Sequence, residues 1–129
     1  MSDRQIITGP DVPMPIGPYS QAVRVDGLVF VSGQPGTDPA TGQPVGDRFG
    51  EQVRQAFRNL DTVLRAAGSR LDLAVSITVL VADAADFPEL NEAFAEAFPT
   101  DPPTRMTMQV PLPLGLLVSI GAIAVNGQK

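Results

Sequence analysis

One cation stands apart in this chain. Arg105 is the only basic residue between Leu71 and Gln128, and the seven acids of that stretch, from Asp72 to Asp101, all precede it. A guanidinium presents parallel N–H donors, so it can grip a small carboxylate through two hydrogen bonds at once. Thr107 and Gln109 alternate with Arg105 in a strand-like pattern, putting hydroxyl and amide groups on the same face. Arg105 could equally make a structural salt bridge to one of those acids, or stand in solvent at the start of a strand. Four other positions have chemistry to offer. Tyr19, the only tyrosine, follows Gly17-Pro18; Ser32-Gly33 closes an apolar run; Asn91 sits beside Leu90; Ser119 is a lone hydroxyl among apolar residues. Each has an ordinary reading as well: a rim aromatic, a strand-to-turn junction, a solvated helix residue, a small core serine.

The missing residue types narrow the chemistry further. The chain has no Cys and no His, which excludes disulfides, thiolate nucleophiles, imidazole bases and the usual soft metal sites. The single lysine, Lys129, is the last residue, a poor place for a buried Schiff base. Fourteen acids against nine bases give a net charge of −5, which offers little to a phosphate backbone, so no nucleic-acid partner is expected. Neither a phosphate loop nor a dinucleotide fingerprint is present, and no metal or cofactor is expected. No apolar run reaches the roughly 18 residues of a membrane span, and the first residues carry no signal-peptide core. The expectation is a single cytoplasmic domain over residues 1–129 with no membrane partner.

The elements that would hold these residues follow from periodicity. Residues 20–25 and 28–33 predict two strands around an Asp26-Gly27 hairpin turn. The Gly- and Pro-rich stretch 34–47 is longer than an ordinary connection, as functional loops often are. Phe49, Val53, Phe57, Leu60 and Leu64 then recur at helical spacing, with Asp47 as the expected N-cap and Gly68 as the stop. Over 71–81 the period falls to two, with Leu73, Val75, Ile77, Val79 and Val81 on one face. A second helix is expected from Asp86, with Glu89 completing a capping box and Phe87, Leu90, Phe94 and Phe98 in its stripe. Strands at 105–110 and 116–125 end the pattern, and a short one at 4–8 can precede it.

Two helices cover only one face of such a sheet. The other face still shows residues such as Leu80, Leu117 and Ile123, so burial against copies of the same chain in a closed oligomer is the expected remedy.

Taken in order, GPYSQAV (17–23), VFVSGQ (29–34), DPATG (38–42), the helix 52–68, FPELNEAF (87–94), PPTR (102–105) and GAIAV (121–125) resemble the reactive intermediate deaminase family, RidA/YjgF, also labelled L-PSP endoribonuclease. The resemblance covers essentially the whole chain. It implies a chorismate-mutase-like α+β fold, a six-stranded mixed sheet with two helices on one face, assembled as a homotrimer with sites between subunits. It also implies hydrolysis of small enamines and imines such as 2-aminoacrylate to 2-keto acids and ammonia. Carried onto this chain, Arg105 would hold the substrate carboxylate, with Tyr19, Ser32, Gly33 and Asn91 lining the pocket. The backbone of Thr107 would help place the attacking water.

One stretch departs from the family pattern. Where deaminase members carry Glu-x-Glu-Ala-Ile-Ala, this chain reads Ser119-Ile-Gly-Ala-Ile-Ala124, so the water-activating glutamate position is Ser119. A serine can hydrogen-bond a water but cannot take its proton at neutral pH. Two functions follow as expectations: an imine hydrolase with altered catalysis, or a protein without deaminase activity that acts as a small-carboxylate binding or regulatory module or in another pathway reaction.

Overall fold

Asp26 and Gly27 both adopt positive φ (50° and 81°), the backbone that a two-residue hairpin needs, and they join β2 (Ala22–Val25) to β3 (Leu28–Pro35). The computed structural model describes residues 3–127, so Lys129 lies outside them. The remaining elements are β1 (Gln5–Ile6), α1 (Phe49–Ala66), β4 (Ala74–Val81), α2 (Phe87–Ala97), β5 (Thr104–Gln109) and β6 (Val118–Val125). They form one mixed six-stranded sheet in the order β1-β2-β3-β6-β4-β5, in which only β4 and β5 run parallel. This is the expected α+β arrangement.

The inward stripe of α1 (Val53, Phe57, Leu60, Leu64) meets Leu90 and Phe94 of α2 over the sheet residues Val29, Ile77, Val79, Ile120 and Ala122. Their burial is the main favourable term in folding. Gly68 ends α1 at φ 84°, with its N–H on Arg65 O and the Ser69 N–H on Leu64 O.

Several local expectations fail for identifiable reasons. Asp47 does not cap α1; Arg48 occupies the N-cap and gives no side-chain hydrogen bond. The capping box of Asp86 and Glu89 does not form either. Asp83 accepts from the Ala85 N–H instead and opens a 3-10 turn that feeds α2. Partial burial, with the charges of Asp83 and Glu89 close by, holds the Asp86 carboxyl above its usual range. Residues Leu71–Leu73 form a 3-10 turn, not strand. Val75 is an extra residue between the pairs Ala74↔Ala124 and Ser76↔Ile123, and this bulge turns it out to solvent, off the face shared by Ile77, Val79 and Val81. Leu117 precedes β6 and packs on the core, so it does not belong to the open face.

Gln52 ties the first turn of α1 to two loops. It is fully buried, donates to Gly46 O (2.7 Å) and Gly115 O (3.2 Å), and accepts the Leu117 N–H (2.8 Å). It therefore anchors the loop that delivers Ser119. Gln52→Leu keeps the volume but leaves three part-buried backbone groups without their partner, so chemical unfolding should show a loss of about 2–4 kcal/mol. A loss below about 1 kcal/mol would mean that water replaces the amide.

Candidate functional site

The register of β5 decides where Arg105 points. Arg105 pairs with Ile77 and Thr107 with Val79, both buried beneath the helices, so Arg105 and Thr107 face the helix side. The Arg105 guanidinium carbon stands 5.0 Å above the centre of the Phe94 ring on α2. None of the acids preceding it pairs with it. Arg54 takes Glu96 (2.8 Å) and Glu92 (3.7 Å), and Arg70 takes Asp72 (2.7 Å). The hydrogen bond from Arg54 holds the Glu96 carboxyl below its usual range. A structural ion pair for Arg105 is therefore not formed, and the edge N–H groups of its fork have no acceptor among the described residues. Two residues on, Thr107 Oγ1 is buried with no hydrogen-bond partner. Asn91 lies exposed on α2, one turn before Phe94.

A second group of residues forms on the opposite face of the sheet. Between the pairs Val31↔Ala122 and Gln34↔Ile120, Ser32 and Gly33 both stand opposite the single residue Gly121. That bulge breaks the alternation of β3 and sets Ser32-Gly33 against β6. Ser119 Oγ lies 2.5 Å from where a Cβ on residue 33 would stand, so the missing side chain of Gly33 makes room for the hydroxyl. Ser32 Oγ donates to Ser20 O (2.6 Å), and the Ser32 N–H to Gln21 O (2.8 Å). Gln34 Nε2 donates to Gln21 Oε1 (2.8 Å). These bonds pin the loop that carries Tyr19, whose N–H donates to Gly17 O (2.9 Å). Beside them lies a concavity of about 330 Å³ lined by Phe30, Ser32, Ser76, Thr78, Gly121 and Ile123, with no charged side chain.

The sequence-derived residues thus divide into two groups. Arg105, Thr107 and Asn91 stand on the helix side around β5 and α2; Ser32, Gly33 and Ser119 belong to the open side around β3 and β6, and Tyr19 sits in the loop that leads into β2. One protomer does not bring the two groups together. Two features escape sequence reasoning. Periodicity puts Phe94 in a core stripe and gives it no link to Arg105, and it assigns no role to the buried glutamines Gln21 and Gln34. No sequence signal marks either, because both depend on how separate segments pack against one another. Among the described residues no cluster of His, Cys, Asp or Glu could hold a metal ion, and no helix is long and apolar enough to cross a membrane.

A single mixed sheet with two helices on one face, an unpaired arginine at its edge and a serine-lined bulge define a class that comparison with known proteins makes definite. The family model for endoribonuclease L-PSP matches residues 10–126, and the chain belongs to this family, RidA/YjgF. A mouse protein named 2-iminobutanoate/2-iminopropanoate deaminase is 45% identical over 125 residues, covering 96% of this chain and 93% of that protein. Among solved structures, RidA from the Antarctic bacterium Psychrobacter sp. matches with a TM-score of 0.88 at 38% identity, over 94% of this chain and 98% of its own. E. coli TdcF, solved with bound serine, matches with a TM-score of 0.85 at 34% identity, over 94% and 98%.

Proposed function

We propose that this protein hydrolyses small 2-imino acids to 2-keto acids and ammonia. The observation that carries the proposal is the Arg105 fork, charged, unpaired and backed by a ring, in a chain 42–45% identical to proteins named 2-iminobutanoate/2-iminopropanoate deaminase. The bound serine of the TdcF structure, an amino acid with a free carboxylate, supports a carboxylate-binding site in this family. In this reading the substrate carboxylate docks on Arg105 and the imine carbon C2 lies within reach of a water. The backbone of Thr107 and the Ser119 hydroxyl orient that water. Its oxygen bonds to C2, its two protons pass to the nitrogen, and the C–N bond breaks to release ammonia and the 2-keto acid. Imines hydrolyse readily, so orientation alone gives useful acceleration.

The two groups of residues meet only if a second copy supplies one of them. The apolar open face, with Phe30 exposed beside Ile123, gives copies of the chain a reason to pack. We therefore place the site between subunits of a homotrimer. Light scattering should give about three times the 13.6 kDa chain mass. Freshly generated 2-iminobutanoate should yield 2-oxobutanoate faster than in buffer alone. A monodisperse monomer would overturn the shared site, and a rate equal to buffer the hydrolase reading. The uncharged surroundings of Ser119 favour a second reading, in which the pocket binds a small carboxylate without turning it over. An unaccelerated rate together with tight 2-oxobutanoate binding would select it.

A further inference from the structure

The partner that Arg105 has chosen shapes what its site can bind. Its guanidinium lies over the face of Phe94, and the described residues offer it no carboxylate. Phe94 is itself held: it is 9% exposed, with Phe57 at 6.1 Å (69° between planes) and Phe98 at 4.8 Å (49°). Phe57 and Phe98 pack edge-on at 5.7 Å. This three-ring cluster, built where α1 meets α2, hands the orientation of the core to a residue on the edge strand.

A ring and a carboxylate do different things to an arginine. A carboxylate takes the edge N–H groups and neutralises the charge, so an incoming anion must displace it. A ring attracts the cation through its face and leaves the edge donors free. It also limits the rotamers of a long side chain that would otherwise lose entropy on binding.

We propose that Phe94 is a positioning residue for the anion site: it holds the Arg105 fork in place with its edge donors free, and so sets the affinity for carboxylate ligands without touching the reacting atoms. This rests on the reading of Arg105 as the carboxylate holder.

The test varies the ring's electrostatics at constant shape. Mono-, di- and trifluorophenylalanine and cyclohexylalanine, installed site-specifically at position 94, progressively remove the negative ring face while nearly keeping its volume. The dissociation constant for 2-oxobutanoate is read by calorimetry, and KM and kcat with 2-iminobutanoate. Affinity should fall in step with fluorination, reaching about 3- to 10-fold for cyclohexylalanine, with KM rising in parallel and kcat unchanged. Phe94→Tyr should keep near-normal affinity. In an Arg105→Ala background, the same replacements at 94 should have no further effect. If Arg105→Ala weakens binding but the fluorinated series is flat, Phe94 only fills space and the proposal fails. If Arg105→Ala itself leaves binding unchanged, the underlying reading of the site fails first.

Discussion

Arg105→Ala should weaken binding of 2-oxobutanoate by one to three orders of magnitude while leaving the fold in place. The fork offers two charge-assisted hydrogen bonds to a carboxylate, worth about 2–4 kcal/mol together. Among the described residues the side chain's contact of note is with the Phe94 ring, so its removal leaves no unpaired carboxylate behind. Thermal unfolding should therefore move by little, in contrast to Arg54, whose pairing with Glu96 and Glu92 joins the two helices. Arg105→Lys keeps the charge but not the fork and should recover only part of the affinity. Unchanged binding in the alanine variant would make Arg105 structural. A large loss of thermal stability would point the same way.

The second large effect is expected at position 119. Ser119→Glu should raise turnover of 2-iminobutanoate, because a positioned general base typically contributes ~10²–10⁴-fold. Its cross-strand neighbours are Pro35 and Leu80, and the concavity beside it carries no charge. A carboxylate partly buried in such surroundings is pushed above its usual range. The variant should therefore show a rate that climbs with pH through a midpoint above the ordinary glutamate value, since the base works only when deprotonated. The wild type has no group at this position to give that limb. The gain would shrink if the new carboxylate turned to an Arg105 fork across a subunit boundary, which would appear as weakened 2-oxobutanoate binding. A wild-type rate already matching relatives that carry the glutamate would show that another group activates the water. A folded variant with intact ligand binding and no faster turnover would show a site built for a different task.

Much of this is legible in the residues themselves. The order and type of the elements follow from apolar spacing of two or three to four, a local property that tertiary contacts reinforce. The Asp26-Gly27 turn is readable because only a few residue types accept positive φ at both positions. The absence of Cys and His limits the chemistry by composition alone, and the isolation of Arg105 along the chain marks it as unusual.

What the tertiary structure alone decides is which groups meet. A β-bulge arises from pairing between strands distant in sequence, so no local pattern foretells that Ser32 and Gly33 stand together opposite Gly121, or that Val75 leaves the inward face. The acids preceding Arg105 make an ion pair as reasonable as an open fork. Only the parallel register of β5 on β4, with α2 packed above, places the guanidinium over Phe94 and leaves Glu92 and Glu96 to Arg54. The division of the site residues between the two sides of the sheet has the same cause: side-chain direction along a strand is local, but the face that direction meets is set by how the whole sheet is assembled.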